Sequence, residues 1–298
     1  MFLSNLEIIG NQKKYNVVIP VRNEELYIGQ MLDSIINQTQ IPSGVFVVND
    51  NSTDKTAEII NSYSKKYPFI HYVDSGSKAN THEPGSKIIN AFYKGFEAMT
   101  DDWDIIFKLD GDLLLPSNYF EKIIAAFEVD DKVGIAGGVI YIKKYGEWTF
   151  EDVKNKNLIR GALKSYTKEC FEKIGGIRRT IGWDTLDEMI AQYHGFKIKV
   201  LPDLVVKLQK PTGTDYKKIH AQKTGQGFYK MDYGLLISLI AAAKDSWKKR
   251  KISVFFSIMN GYFKSALNSD SKAVTTEEGR YIRKLRRQGI LGRLRLKK

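Results

Sequence analysis

The sequence predicts an α/β fold, with a mostly parallel sheet flanked by helices and a helical, basic C-terminal extension. Three observations carry that prediction. Residues 15–141 alternate short β-branched runs with stretches of helical period. Polar clusters stand at the ends of three of the apolar runs, at 20–24, 49–54 and 110–112. Past residue 222 the strand-like runs stop, and basic residues gather at 244–251 and 280–298.

Taken in order, "YNVVIP" is a short β-branched strand ended by Pro20. "NEELYIGQMLDSIINQT" sets Leu26, Ile28, Met31, Leu32, Ile35 and Ile36 on one helical stripe. "GVFVVND" reads as a second buried strand. "NSTDKTAEIINSYSKKY" opens on capping residues and continues as a helix. "FIHYVD" is a strand, "SKIINAFYKGFEAM" an amphipathic helix, "DIIFKLD" a strand, "SNYFEKIIAAFEVD" a helix and "VGIAGGVIYI" a strand. Between 142 and 215 the pattern loosens. Helices are expected near 167–174 and 184–194, and two short strands, "FKIKVLP" and "LVVKLQ", close the region. This divides the chain into a catalytic-type unit over 1–215 and a helical extension over 216–298.

With 43% hydrophobic and 12% aromatic residues, the 298-residue chain has the material for a large core, which excludes global disorder. The net charge of +12 is localised. Residues 280–298 hold nine Lys or Arg and no acid, and 244–251 hold five with one acid, so the rest is close to neutral. A uniformly basic nucleic-acid binder has a different distribution, and the tail offers only Tyr281 for stacking on bases. A neutral body with a basic end suits an anionic surface such as lipid headgroups. The single cysteine, Cys170, excludes an internal disulfide and reads as a core residue. The first residues lack the signal-peptide pattern, and the longest apolar run, "YGLLISLIAAA", is too short to span a bilayer. The expected location is cytoplasmic, with peripheral contact at the inner membrane face.

In a parallel sheet, ligands bind beyond the carboxyl ends of the strands. Neither G-x-G-x-x-G nor G-x-x-x-x-G-K-[ST] occurs, so neither glycine-rich phosphate loop is supported. "FKLDGD" stands out instead. Side chains at i and i+2 of an extended segment point the same way, so Asp110 and Asp112 aim two carboxylates at one place, with Gly111 allowing close approach. A divalent cation removes their repulsion, and all-oxygen ligation suits Mg²⁺ or Mn²⁺ completed by substrate phosphates. A solvated D-G-D turn is the competing reading. His71, His82 and His194 show no metal-ligand spacing.

"VVIPVRNEELYIGQMLDSIINQT", "VVNDNSTDKT" and "FKLDGD" resemble the N-terminal half of family 2 glycosyltransferases of the GT-A, Rossmann-like fold, over roughly residues 14–215. The resemblance implies a nucleotide-diphosphate sugar donor, a divalent metal and inversion at the anomeric carbon. It implies that Pro20, Arg22, Asn23 and Glu24 line the nucleoside and that Asp50 binds the base, uracil being the expected one. Asn49 stands where the family often has another Asp, and Asn51 where Gly is usual. Lys87 matches a basic residue near the phosphates, and Asp110 and Asp112 match the D-x-D metal motif. "IRGALKSYTKECFEKIGGI" and "GWDTLDEMIAQYHGFKIKVLPDL" resemble the acceptor half. There the resemblance implies that Asp187, with Glu188 a close second, is the catalytic base. Trp183 and Asp184 are candidates for the acceptor side, with Trp183 either stacking on a sugar ring or packing as a core aromatic. The family's late His, often a third metal ligand, is absent. "LVVKLQKPTGTD" offers Gln209 and Lys210, and His220 lies eleven residues beyond Gln209. The expected activity is sugar transfer to a hydroxyl of a saccharide or lipid-linked acceptor in cell-envelope polysaccharide or glycolipid synthesis. A nucleotidyltransferase of similar fold and an inert nucleotide-sugar-binding protein are the alternatives.

Overall fold

A computed structural model describes residues 13–76, 86–100, 102–151, 158–210 and 219–295. The predicted alternation is present as β1 (Tyr15–Val21), α1 (Ile28–Ile36), β2 (Gly44–Asn49), α2 (Thr56–Lys66), β3 (Ile70–Asp74), α3 (Ser86–Glu97) and β4 (Ile105–Leu109). Then follow β5 (Leu113–Leu114), α4 (Tyr119–Val129), β6 (Val133–Lys144), β7 (Glu147–Phe150), β8 (Leu163–Thr167), α5 (Lys168–Lys173), α6 (Trp183–Tyr193) and β9 (Lys197–Leu208). The helical extension is α7 (Ile219–Lys230), α8 (Gly234–Lys249), α9 (Ile252–Leu267) and α10 (Thr276–Arg295).

The strands form one sheet in the order β3-β2-β1-β4-β8-β6-β9-β5, with β7 paired to β6. The pairs β3–β2, β2–β1 and β1–β4 are parallel. Beyond β4 the sheet becomes mixed, because β8 runs antiparallel to both β4 and β6 while β6 and β9 are parallel. Every residue of β1, β2 and β4 is buried, as expected for strands covered on both faces. α1 packs Ile28, Met31, Leu32 and Ile35 inward, and each such side chain contributes roughly 1.5–3 kcal/mol of burial.

The chain winds outward from β1 through β2 to β3, then returns to place β4 on the other side of β1. That reversal opens a crevice between the carboxyl ends of β1 and β4. The β1–β4 ladder stops at Val18–Lys108, while β1 stays paired with β2 through Val21–Asn49. Pro20 therefore lies past the end of the β1–β4 ladder, where its missing N–H costs no sheet bond.

"FKIKVLP" and "LVVKLQ" are not two strands but one, β9. Its register against β6 jumps from Gly137–Val200 to Val139–Val205, so the residues around Pro202 bulge out of a continuous ladder. A Cβ on Gly138 would lie 2.2 Å from the Leu204 carbonyl oxygen, so the crossing needs a glycine there. The β6–β7 hairpin turns through Tyr145 and Gly146, both at positive φ.

The main core runs from β1 into the extension, where Met231, Tyr233, Ile237 and Ile282 join it. A second, smaller cluster of Ala221, Ala242, Ile258, Met259 and Tyr262 lies between α7, α8 and α9.

Candidate active site

The loops after β1 and β2 form one laced structure. The Asn23 amide donates to Ser52 Oγ (3.0 Å), the Thr53 amide to Asn23 Oδ1 (2.8 Å), and the Glu24 amide to Thr56 Oγ1 (2.8 Å). The Glu25 amide donates to Asp54 Oδ2 (3.1 Å), and the Lys55 amide donates back to Glu25 Oε2 (2.9 Å). Asn51 sits at φ +51°, a left-handed conformation that Gly or Asn adopts most readily. Asn here is therefore a conservative replacement for the expected Gly. Asn49 is buried and donates its side-chain amide to the Tyr72 hydroxyl (3.0 Å). Asp50 accepts from Ser75 Oγ (3.1 Å) at the mouth of β2. Arg22 is exposed, and Lys87 is half-buried in the first turn of α3. His82 lies outside the described residues, as does residue 85, which precedes α3, while His220 opens α7.

Glu24, Asp110 and Asp112 converge at the β1–β4 crevice. Gly111 packs so closely on β1 that a Cβ would meet Val21 Cγ1 at 2.5 Å. Burial, then the charges of Asp110 and Glu24, push the Asp112 carboxyl up to about 7. Burial likewise raises Glu24, whose Oε2 is enclosed without a hydrogen-bond partner. Two lysines offset this crowding. Lys108, itself 1% exposed, pairs with Asp110 and donates to the Gly161 carbonyl (2.9 Å). Lys210 reaches Glu24 Oε1 at 2.7 Å, and the Gln209 amide donates to the Asp112 carbonyl (2.9 Å). The strand that lacks the family's His thus delivers a cation to the same spot.

No cluster of three or more metal-ligating side chains occurs among the described residues. The donor chemistry nonetheless fits a hard divalent ion held by few protein groups. Crowded carboxylate oxygens, one of them orphaned and one destabilised as an anion, call for a cation.

The second group of expected site residues is split by the structure. Trp183 and Asp184 open α6 and lie against Gly161, where an added Cβ would sit 2.9 Å from the indole and 3.0 Å from Asp184 Cβ. The Trp183 ring lies 5.3 Å from the Lys108 ammonium and 5.9 Å from that of Lys164. Gly161 thus couples the D-G-D end of β4 to the start of α6, and Asp184 stands partly exposed beside it.

Asp187 is different. Its side chain has no exposure, with one oxygen on Lys164 (2.6 Å) and the other accepting from the Tyr166 hydroxyl. Glu188, 2% exposed, accepts from Lys164 (3.0 Å) and from the Ile159 amide (2.9 Å). Burial alone would lower Lys164, but Asp187, Glu188 and Asp184 together raise it, so the ammonium stays charged at the centre of the cluster. Burial raises Glu188 to about 7 against the pull of Lys164. Asp187 is thus enclosed with both oxygens engaged and ties α6 to β8, whereas Asp184, three residues earlier, is partly exposed. The sequence signal that was missed is the "ALKSY" stretch. Its lysine and tyrosine lie two apart and point to the same side of β8, into the acidic turn of α6.

Along the next face of α6, a cavity of about 570 Å³ lies between α6, α8 and α10, with Thr185 and Glu188 on one wall and Phe228, Ile237, Leu285 and Ile290 among its apolar lining.

The sequence pattern of glycosyl transferase family 2 matches residues 16–181. The 4,4'-diaponeurosporenoate glycosyltransferase of Staphylococcus aureus is 53% identical over 53 residues, which are 18% of this chain and only 14% of that enzyme's length. Among solved structures, the mannosyltransferase PcManGT of Pyrobaculum calidifontis in complex with GDP-Man and Mn²⁺ superposes with a TM-score of 0.54 at 18% identity, over 73% of this chain and 62% of that one. S. aureus TarS 1-349 in complex with UDP-GlcNAc gives 0.53 at 19% identity, over 71% and 64%.

Proposed function

The chain belongs to glycosyl transferase family 2, and from that premise we propose that it moves a sugar from a UDP-sugar to an acceptor hydroxyl with inversion, in glycolipid or envelope polysaccharide synthesis. One observation carries the reading. The D-G-D pair ends β4 at the sheet's switch point, and Lys108 beside it donates to Gly161, against which Trp183 and the partly exposed Asp184 pack. Two solved structures of the same fold hold a nucleotide sugar, one of them with Mn²⁺, which supports the donor class.

The loops of Pro20–Glu24 and Asp50 cradle the nucleoside, and Lys87 lies toward the diphosphate. Asp112 and Asp110 would hold Mg²⁺ or Mn²⁺. When bound, the ion supplies charge neutralisation of the diphosphate leaving group. Lys210 adds a fixed cation beside the same group, held in place by Glu24. Lys108 holds Asp110 in orientation. Asp184 takes the proton from the acceptor hydroxyl, and Trp183 walls the acceptor side. The oxygen then attacks the anomeric carbon from the face opposite the diphosphate, which inverts it. The mixed cavity beside α6, where Phe228, Ile237, Leu285 and Ile290 stand with Glu188, Lys244 and Arg286, suits an acceptor with both a polar and a lipid part. Residues 1–215 supply this machinery and 216–298 the helical support, working at a cytoplasmic membrane face.

The test is release of UDP from a panel of UDP-sugars by wild type, Asp184→Asn and Asp187→Asn. Loss in Asp184→Asn with retained folding is expected. Full turnover in that variant would remove Asp184 from the mechanism.

A further inference from the structure

Helices α8 and α9 each bury one face and leave a second apolar stripe in water. On α8 the outer stripe is Leu236, Ile240 and Trp247, which are 65%, 39% and 87% exposed. On α9 it is Ile252, Phe256, Phe263 and Leu267, at 70%, 64%, 48% and 86%. These positions recur at helical spacing on each helix, interrupted on α9 by the exposed Asn260. A helix packed on a protein needs one such face. Soluble surfaces rarely expose apolar patches this extended without an occupant.

The stripes meet at the α8–α9 corner. There Trp247, Ile252 and Phe255 enclose a cavity of about 720 Å³ together with Arg250 and Lys251. Lys248, Lys249, Arg250 and Lys251 are all exposed at that corner. The turn is tight: the Arg250 and Lys251 amides donate back to the carbonyls of Trp247 and Ser246 (both 3.1 Å), and Ser246 Oγ donates to the Lys251 carbonyl (2.9 Å). Arg250 adopts φ +50°, a position where glycine is the unstrained choice. The corner keeps a cation there in spite of the strain.

We infer that the α8–α9 hairpin is a membrane-docking element whose corner seats against anionic phospholipid headgroups while Trp247, Ile252 and Phe256 enter the interface. Charge complementarity selects this occupant. Four clustered cations oppose a second copy of the same patch and favour an anionic layer, and the aliphatic stripe favours acyl chains. No helix among the described residues is long and apolar enough to cross a membrane, so the contact is one of lying on the surface. This rests on the reading above only for its purpose, which is to hold the acceptor cavity of α6 and α8 near a lipid-linked acceptor. It narrows the contact expected of the basic C-terminal part as a whole to one built corner.

The experiment is flotation of the full chain with vesicles of phosphatidylcholine alone or mixed with phosphatidylglycerol. Wild type should float with the anionic vesicles only. Trp247→Ser/Phe256→Ser changes two exposed residues, so its melting temperature should match wild type while flotation is lost. Lys248→Gln/Lys249→Gln should weaken binding about fivefold for each cation removed. Lys284→Gln/Arg287→Gln on α10 should change it less than about twofold, since among the described residues Leu291 alone is a large exposed apolar side chain on that helix. Flotation of the Trp247/Phe256 variant at the wild-type level, equal loss in the α10 variant, or no flotation of wild type would overturn the proposal. Self-association of wild type that this variant abolishes, without flotation, would assign the face to a second copy. Nucleotide binding followed by melting in the same variants should be unchanged. Its absence in wild type would count against the donor reading and leave the vesicle result standing.

Discussion

Asp184 and Asp187 lie three residues apart on one helix in opposite surroundings. Asp184 stands partly exposed at the helix start, and Asp187 is sealed against Lys164 and Tyr166. General-base catalysis contributes about 10²–10⁴-fold, so Asp184→Asn should lower turnover by that factor with little change in melting temperature. Asp187→Asn should act chiefly on folding, because it leaves a buried ammonium short of a counter-charge. Loss of a buried partner costs about 3–5 kcal/mol, read as a lower urea midpoint. Gly161→Ala should displace Trp183 and Asp184 and reduce turnover, since its methyl would sit 2.9–3.0 Å from both. Glu188 gives a pH signature. Its carboxyl is raised by burial from 4.5 to about 7, so the folded state favours the protonated form. Its stabilising contribution is complete below 4.5 and is lost as pH rises through about 7. Glu188→Gln should reduce that decline by its own share, leaving the part due to Asp112, which is also raised to about 7, measured as urea midpoint against pH.

At the scale of elements, the parallel half of the sheet was readable because β1, β2 and β4 are buried on both faces and so are continuous apolar runs. The antiparallel half was not. β8 reads "LKSYT", a strand that hides a fully buried lysine and serine, whose hydrophilic letters mask a core position. Lys164 is buried only because α6 brings Asp187 and Glu188 to it, which is a tertiary fact with no local periodicity. β9 was legible as strand but not as one strand, since Pro202 looks like a terminator until the bulge opposite Gly138 accommodates it. Gly138→Ala should therefore strain the β6–β9 crossing by about 1–3 kcal/mol, visible in the melting temperature. The D-G-D pair, the capping loops and the start of α6 were all legible as motifs. Which acid of α6 is buried was not, because Asp187 is enclosed by Lys164 and Tyr166 of β8, a tertiary contact with no local signal.

At the scale of the molecule, sheet topology decides where chemistry can occur. The reversal between β1 and β4 opens a crevice at which Glu24, Asp110 and Asp112 converge, and Trp183 of α6 packs nearby on Gly161 and beside Lys108. The extension adds a cavity of mixed lining against the same helix and a cationic corner facing water. The central claim is that the crevice binds a nucleotide diphosphate through the D-G-D carboxylates and a divalent ion. Thermal unfolding of wild type and Asp112→Asn, with Mn²⁺ and each of UDP, GDP and CDP, tests it most directly. A ligand at about 100 times its dissociation constant adds about 2.7 kcal/mol, a shift of roughly 2–4 °C for a chain of this size. The account predicts that shift for wild type with UDP and Mn²⁺ together, and none for Asp112→Asn. An equal shift in the variant, or no shift with any nucleotide, would contradict it.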